Sequence, residues 1–346
     1  MIDIKRLIRR NIASLEPYST ARDEYKGELG ILLDANESPY GDGINRYPST
    51  TLKESLRKKV AALKKVDPEC LFLGNGSDEV IDLCYRVFCI PGRSNAVIMA
   101  PSYGMYSVCA DINNVSRRMV QLPGETFMLP VTELLQAADR RTRLMFICSP
   151  NNPTGNAYDL EEIEHLASKF KGILVVDEAY IDFSSKPSAV SLTVKYPNLI
   201  VMQTLSKAWG LAGLRVGLAI ANPEIISIFK KVKYPYNIGT DTISLALERL
   251  DKSNVASQVA TIISERTRLA AVLPGCKCVR KVYPSDANFL LVKVSDPRGL
   301  YDALLRQGVI VRDRSGVKGC EGCLRLTIGT PEENIKLEKT IAEYES

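Results

Sequence analysis

Histidine occurs once and tryptophan once in 346 residues. With a single imidazole, any Ser-His or Cys-His catalytic pair would have to use His165. That residue lies between EEIE and LASK, a charged stretch with the periodicity of an amphipathic surface helix. An enzyme built from this chain is therefore expected to take its acid-base group from another residue type. A metal-binding set is missing too: Cys320-Glu321-Gly322-Cys323 has zinc-like spacing but no second pair completes it, so no metal is assigned. The nine cysteines are odd in number, and several (Cys84, Cys89, Cys109, Cys148) sit inside apolar runs. That usage suits reduced, buried thiols and excludes a disulfide framework. No apolar run reaches membrane-spanning length, which excludes a membrane helix. The opening MIDIKRLIRRNIASLEPY is basic and amphipathic and lacks the apolar centre of an export signal, so a cytoplasmic protein without a membrane partner is expected. Nor is there an internal repeat or a low-complexity segment. The formal net charge of +5, with no clustered basic face, favours a small anionic substrate over nucleic acid.

What is present is an alternation. The length suggests about two domains, and between residues 70 and 220 short apolar runs alternate with helical patterns, the mark of a mainly parallel α/β sheet. Strands are expected at Leu71–Leu73, Ala96–Ala100, Arg118–Leu122, Leu144–Cys148, Ile173–Val176 and from Leu199, with another at Ile31–Leu33. Helices are expected at Leu52–Lys64, Val80–Phe88, Val131–Ala138 and Leu160–Phe170, then one long helix over Thr240–Leu273. The remainder, with strands near Phe289–Val294, Val309–Arg312 and Cys323–Ile328 around a helix Gly299–Gln307, predicts a smaller α+β domain. Ligands of such sheets gather at the carboxyl ends of the strands, and there the polar residues concentrate.

The chain turns on LIVMQTLSKAWGLAGLRVG, residues 199–217. A strand buried on both faces ends in Thr204-Leu205-Ser206-Lys207, and an amine at the edge of a core loses pKa through desolvation, becoming available as nucleophile or base. Lys207 is thus a candidate Schiff-base lysine. Ser206 and Arg215 beside it suit a phosphate, and an amine next to a phosphate pocket points to pyridoxal phosphate. Gly74-Asn75-Gly76-Ser77-Asp78 offers a second anion-binding element, a Gly-rich turn feeding a helix with Ser77 as expected N-cap, although Gly-Ser before a helix also serves capping alone. Tyr103 follows a strand and suits stacking on an aromatic cofactor or packing in the core. Asn152 is presented by the rigid turn SPNNPTG. Asp177, directly after four buried β residues, needs a cation such as a protonated pyridine nitrogen; magnesium binding or helix capping would also satisfy it. Tyr180 either hydrogen-bonds the same ring or packs. Arg312 and Arg325 form either an anion clamp or surface ion pairs.

Taken in order, PYSTAR, LLDANESPYG, RYP, GNGSDE, PSYGMYS, SPNNPTG, VVDEAY, TLSKAWGLAGLRVG, YPSDANFLL, IVRDRS and CLRLTIGT give the chain a resemblance, over nearly its whole length, to the fold-type I, class II pyridoxal-phosphate-dependent aminotransferases. Within them it most resembles the branch acting on histidinol phosphate. The resemblance implies a large domain over 41–270 with a mainly parallel sheet flanked by helices, a smaller C-terminal domain over 271–346, and an N-terminal arm over 1–40 that joins the small domain. It implies that Lys207 holds the cofactor and shuttles a proton, and that Asp177 keeps the pyridine nitrogen protonated. Asn152 and Tyr180 would bond its phenolic oxygen and Tyr103 would stack on it. The amides of Ser77 and Asp78, with Ser206 and Arg215, would hold the phosphate. Tyr47 matches a tyrosine that reaches the phosphate from a partner subunit, which implies a homodimer with shared sites. Tyr18, Asn36, Arg312 and Arg325 match positions that bind the amino donor's carboxylate or the substrate phosphate. The implied reaction is amino transfer between histidinol phosphate and 2-oxoglutarate, giving imidazole acetol phosphate and glutamate. Threonine-phosphate decarboxylases and aromatic or broad-specificity aminotransferases share most of these motifs. A cofactor-binding regulatory domain is the non-enzyme alternative, and it would need a DNA-binding module for which the residues before ANESPYG leave no room. One departure stands out: Trp209-Gly210 replaces the Phe-Ala frequent in related sequences.

Overall fold

A computed structural model describes residues 2–18, 20–24 and 30–344, with backbone only at 23 and 24. Seven strands form the principal sheet in the order β1-β7-β6-β5-β4-β2-β3: β1 (Leu71–Asn75), β2 (Asn95–Ala100), β3 (Ser116–Gln121), β4 (Thr142–Cys148), β5 (Ile173–Asp177), β6 (Leu199–Thr204) and β7 (Val216–Ala221). Only β7 runs against the others. All five central runs are apolar because both faces of the sheet are covered, and the two-residue period of a strand divides each between two cores. On one face Ile98, Phe146, Val175 and Met202 meet helices Gly76–Phe88 and Pro223–Val232. On the other, Val97, Ile147, Val176 and Val201 meet the helix Leu160–Lys169.

A second sheet, β10-β11-β9-β8, is antiparallel throughout, with β8 (Val279–Val282), β9 (Phe289–Val294), β10 (Arg312–Asp313) and β11 (Cys323–Thr327). Leu290, Val292, Leu324 and Leu326 pack on helices Pro297–Arg306 and Pro331–Glu343, while Leu291 and Cys323 turn to the large sheet's core.

Several expectations change. Residues 31–33 form no strand, and Ile31 and Leu33 are 90% and 86% exposed; a three-residue apolar run has no ladder to join in the single chain. The long helix is two, Thr240–Lys252 and Val255–Val272. It breaks at Ser253-Asn254, residues whose side chains compete with helical backbone bonds. The strand expected at Val309–Arg312 is reduced to Arg312–Asp313, whose register partners on β11 are Arg325 and Leu324. The helix after β1 begins at Gly76 with Asn75 as N-cap, so Ser77 lies in its first turn and does not cap it. The arm preceding these elements is pinned by Glu37, whose carboxylate accepts from Arg22, from Arg46 at 3.0 Å and from the Tyr47 N–H at 2.6 Å. Burial alone would push that carboxyl up; these three donors hold it down at about 2.

Candidate active site

The carboxyl ends of the parallel strands open into a cavity of about 340 Å³ lined by Ser77, Asp78, Tyr103, Cys148, Asn152, Asp177, Ala179, Tyr180, Thr204, Ser206, Lys207, Arg215, Arg312, Arg314 and Arg325. That volume falls in the range of roughly 300–1,000 Å³ usual for small-molecule sites. Eleven residues singled out from sequence thus converge, drawn from segments up to 248 positions apart (Ser77 to Arg325).

At one end lies an anion cradle. The turn from β1 into its helix places Gly76 at φ +74°, where a side chain is strained. The Gly76 N–H donates to the carbonyl of Arg215 at 2.7 Å, locking the two segments together. A Cβ on Gly76 would strike the Arg215 guanidinium, and one on Gly217 would strike the Gly76-Ser77 backbone. The N–H groups of Ser77 and Asp78, in the first turn, have no intrahelical acceptor. The Thr204 and Ser206 hydroxyls lie 2.9 Å apart, and Arg215, itself at φ +53°, is 3.5 Å from Asp78. Amides, hydroxyls and a guanidinium around a space kept clear of side chains are the donor set of a phosphate site.

In the middle, Asp177 ends β5 almost fully buried, with no cationic side chain at ion-pair distance among the described residues. Its carboxylate accepts from the Tyr106 hydroxyl at 2.6 Å and from the Ala179 N–H at 3.1 Å. Burial nevertheless raises its pKa above the ordinary carboxylate range, against the pull of those donors. Such a group calls for a cation in the cavity. Lys207 reaches the cavity from just beyond the end of β6, its Nζ 5.7 Å from the centre of the Tyr180 ring. Partial burial lowers the pKa of this amine, Arg325 lowers it further, and Asp177 acts in the opposite sense. Tyr103 stands edge-on to Tyr106, ring centres 5.7 Å apart, and donates to Asp78 at 3.0 Å.

At the far end, Arg325 Nη1 donates to Asn152 Oδ1 at 2.5 Å, and Asn152 Nδ2 approaches the Tyr180 hydroxyl at 3.5 Å. Arg325 of the second sheet is thereby tied to Asn152, and through it to Tyr180, in the turns that follow β4 and β5. Sequence reasoning missed Tyr106 and Arg314. Tyr106 follows Tyr103 by one helical step (i, i+3), a spacing that places both at one helix end. Arg314 stands two residues after Arg312 on an extended segment, hence on the same side.

Three expected residues lie elsewhere in the single chain. Tyr18 lines a separate cavity of about 290 Å³ with Leu73 and Lys230. Asn36 and Tyr47 line a shallow pocket formed by residues 35–37 and 44–47, and Tyr47 stacks on Tyr236 at 4.0 Å. Trp209 is half-buried among apolar residues and does not line the site; its ring faces the Lys64 ammonium at 5.8 Å.

A mainly parallel sheet that presents a lysine, a buried aspartate and an anion cradle to one cavity has the parts of a covalent-cofactor enzyme. The chain belongs to the class I and II aminotransferase family, whose profile matches residues 31–340. It is 50% identical over 338 residues to the histidinol-phosphate aminotransferase of Parabacteroides distasonis, covering 97% of each chain. Over 347 residues it is 46% identical to the histidinol-phosphate aminotransferase of Bacteroides thetaiotaomicron, covering all of both. The crystal structure of the histidinol-phosphate aminotransferase from Clostridium acetobutylicum superposes with a TM-score of 0.78 at 26% identity, covering 86% of this chain and 90% of that one. The family's cofactor is pyridoxal phosphate, and the groups present fit it: a cradle for its phosphate, an anion for its ring nitrogen and an amine for its aldehyde.

Proposed function

We propose that this chain catalyses the reversible transfer of an amino group between histidinol phosphate and 2-oxoglutarate, producing imidazole acetol phosphate and glutamate, in the cytoplasm. Pyridoxal phosphate, when bound, supplies the electron sink that lets a proton leave the substrate's α-carbon. The protein supplies the rest. The Ser77 and Asp78 amides, Ser206 and Arg215 hold the phosphate. Asp177 holds a positive ring nitrogen, Asn152 and Tyr180 address the ring's oxygen, and Tyr103 offers it an aromatic surface. Lys207, its pKa lowered, takes and returns the substrate proton. Arg325 and Arg312 bind the anionic groups of the two alternating substrates, whose one shared need is a guanidinium fork. Residues 41–270 would form the cofactor-binding unit and 271–346 the smaller one.

The observation that carries this proposal is a cavity cationic at both ends, phosphate cradle on one side and arginines on the other, in a chain half identical to an enzyme named for a phosphorylated substrate. Single-turnover rates provide the test. Histidinol phosphate should convert the cofactor to its amine form at least about a hundredfold more efficiently than phenylalanine or threonine phosphate, with no carbon dioxide released. Faster reaction of threonine phosphate with carbon dioxide evolution would replace this proposal with a decarboxylase.

We further propose a homodimer whose partner subunit contributes to each site. Ile31, Leu33, Tyr40 and Ile44 are at least 70% exposed and cluster in one short segment, an apolar surface of the kind that association buries. The same segment carries Asn36 and Tyr47, which the single chain keeps out of the cavity. The partner's Tyr47 would then reach the cofactor phosphate; Tyr18 and Asn36 are kept in a substrate role by the family positions they match. Solution mass should be twice that of the chain, and a fully active monomer would refute the shared site.

A further inference from the structure

Strand β10 pairs Arg312 with Arg325 and Asp313 with Leu324, and the Arg314 N–H extends the ladder to the Cys323 carbonyl at 2.9 Å. Side chains alternate along an extended chain. Arg314 therefore returns to the face of Arg312, and Asp313 turns to the other, where its Oδ1 accepts from the Ser315 N–H at 2.7 Å and the Ser315 hydroxyl at 2.6 Å. The strand thus separates its own acid from its two cations. All three arginines line the cavity that holds Lys207. Neither Arg312 nor Arg314 has a carboxylate at ion-pair distance among the described residues, and the buried Nε atoms of Arg314 and Arg325 have no hydrogen-bond partner. Burial and the neighbouring guanidiniums lower the pKa of Arg314, the sign of a cation lacking its counter-ion.

Three guanidiniums exceed what a carboxylate needs, since one fork satisfies its two oxygens. Arg325 already commits one N–H to Asn152. A phosphate monoester, with three free oxygens and close to two charges at neutral pH, can engage the others. We propose that Arg314 is a specificity-determining residue that joins Arg312 on the substrate's phosphate and meets its second negative charge. This rests on the reading that the substrate is phosphorylated, and it adds the residue by which the site distinguishes a phosphate monoester from the unphosphorylated alcohol.

The cofactor-loaded enzyme and its Arg314→Gln variant are compared with histidinol phosphate and histidinol at several pH values. Wild-type preference for the phosphorylated compound should fall as pH drops through about 6, where the monoester takes up its second proton. Arg314→Gln should lower that preference about 10- to 100-fold, the loss falling on KM, and should flatten its pH dependence. Inorganic phosphate should inhibit the variant correspondingly less. Arg314→Lys, which keeps the charge without the fork, should recover part of the preference, and it stands in if the Gln variant fails to retain the cofactor's absorbance. A wild-type enzyme indifferent to the phosphate would sink the substrate reading. Wild-type discrimination retained in full by both variants would sink the role of Arg314 and leave the substrate reading standing.

Discussion

Lys207→Ala should lower steady-state amino transfer at least about a thousandfold while leaving the fold intact. Among the described residues Lys207 is the one lysine lining the cavity, and none of them offers another amine there to take over covalent attachment or proton transfer. Proton transfer by a positioned base contributes roughly 10²–10⁴, and on the proposed reading the same side chain would also attach the cofactor. Structural damage should be slight, because the Lys207 side chain makes no hydrogen bond or ion pair among the described residues. The phosphate cradle is untouched, so the variant should still bind cofactor but without the absorbance of a covalently held form. Added methylamine should restore a fraction of the rate by entering the space vacated. The pH profile of the wild type offers a second check. Because burial lowers the amine's pKa from the ordinary 10.5, its basic form is present at lower pH than in a free lysine. The rate at which the cofactor-free protein attaches added pyridoxal phosphate should therefore rise with pH along a limb that lies below 10.5. A Lys207→Ala enzyme within tenfold of the wild-type rate would remove this residue from the chemistry.

The large sheet was legible because its central strands are buried on both faces, so that composition alone marks β4, β5 and β6, the last two ending in the polar residues Asp177 and Thr204. Local sequence sufficed for Asp177 and Lys207 for the same reason: a charge at the end of an apolar strand is conspicuous. It failed where structure depends on a distant partner. Val309–Arg312 looks like a strand, but of its residues only Arg312 pairs with β11. Ile31–Leu33 reads as an apolar strand and is exposed, with no ladder to join in the single chain. The roles of Tyr106 and Arg314 were hidden in another way. Arg314 lies one strand step from Arg312 and faces the same cavity, while Tyr106 is fully buried behind it and reaches the site only through its hydrogen bond to Asp177. Placement of Tyr47 at a cofactor site would be the least local property of all, since under the proposed dimer it would depend on a second chain.

Asp177→Asn should separate function from stability. Function should fall about a hundred- to thousandfold, the usual loss when one preorganised charge partner is removed from a buried site. Asparagine occupies the same volume but cannot balance a positive ring nitrogen. Packing should survive, because the Tyr106 hydroxyl, now a donor at 2.6 Å, can rotate and accept from the new amide, while the Ala179 N–H keeps its oxygen. Stability of the cofactor-free protein should move the other way. The folded-state pKa of Asp177 lies above the ordinary 3.8, so the folded chain binds more protons than the unfolded one as pH climbs through that interval. Stability then declines with rising pH between the two values and stays lower beyond them. Asparagine carries no such penalty. At pH 7 the cofactor-free variant should melt at or above the cofactor-free wild type, the difference should shrink towards pH 4, and added cofactor should stabilise the wild type far more than the variant. Equal stabilisation of both proteins by the cofactor would mean that Asp177 does not face the ring nitrogen.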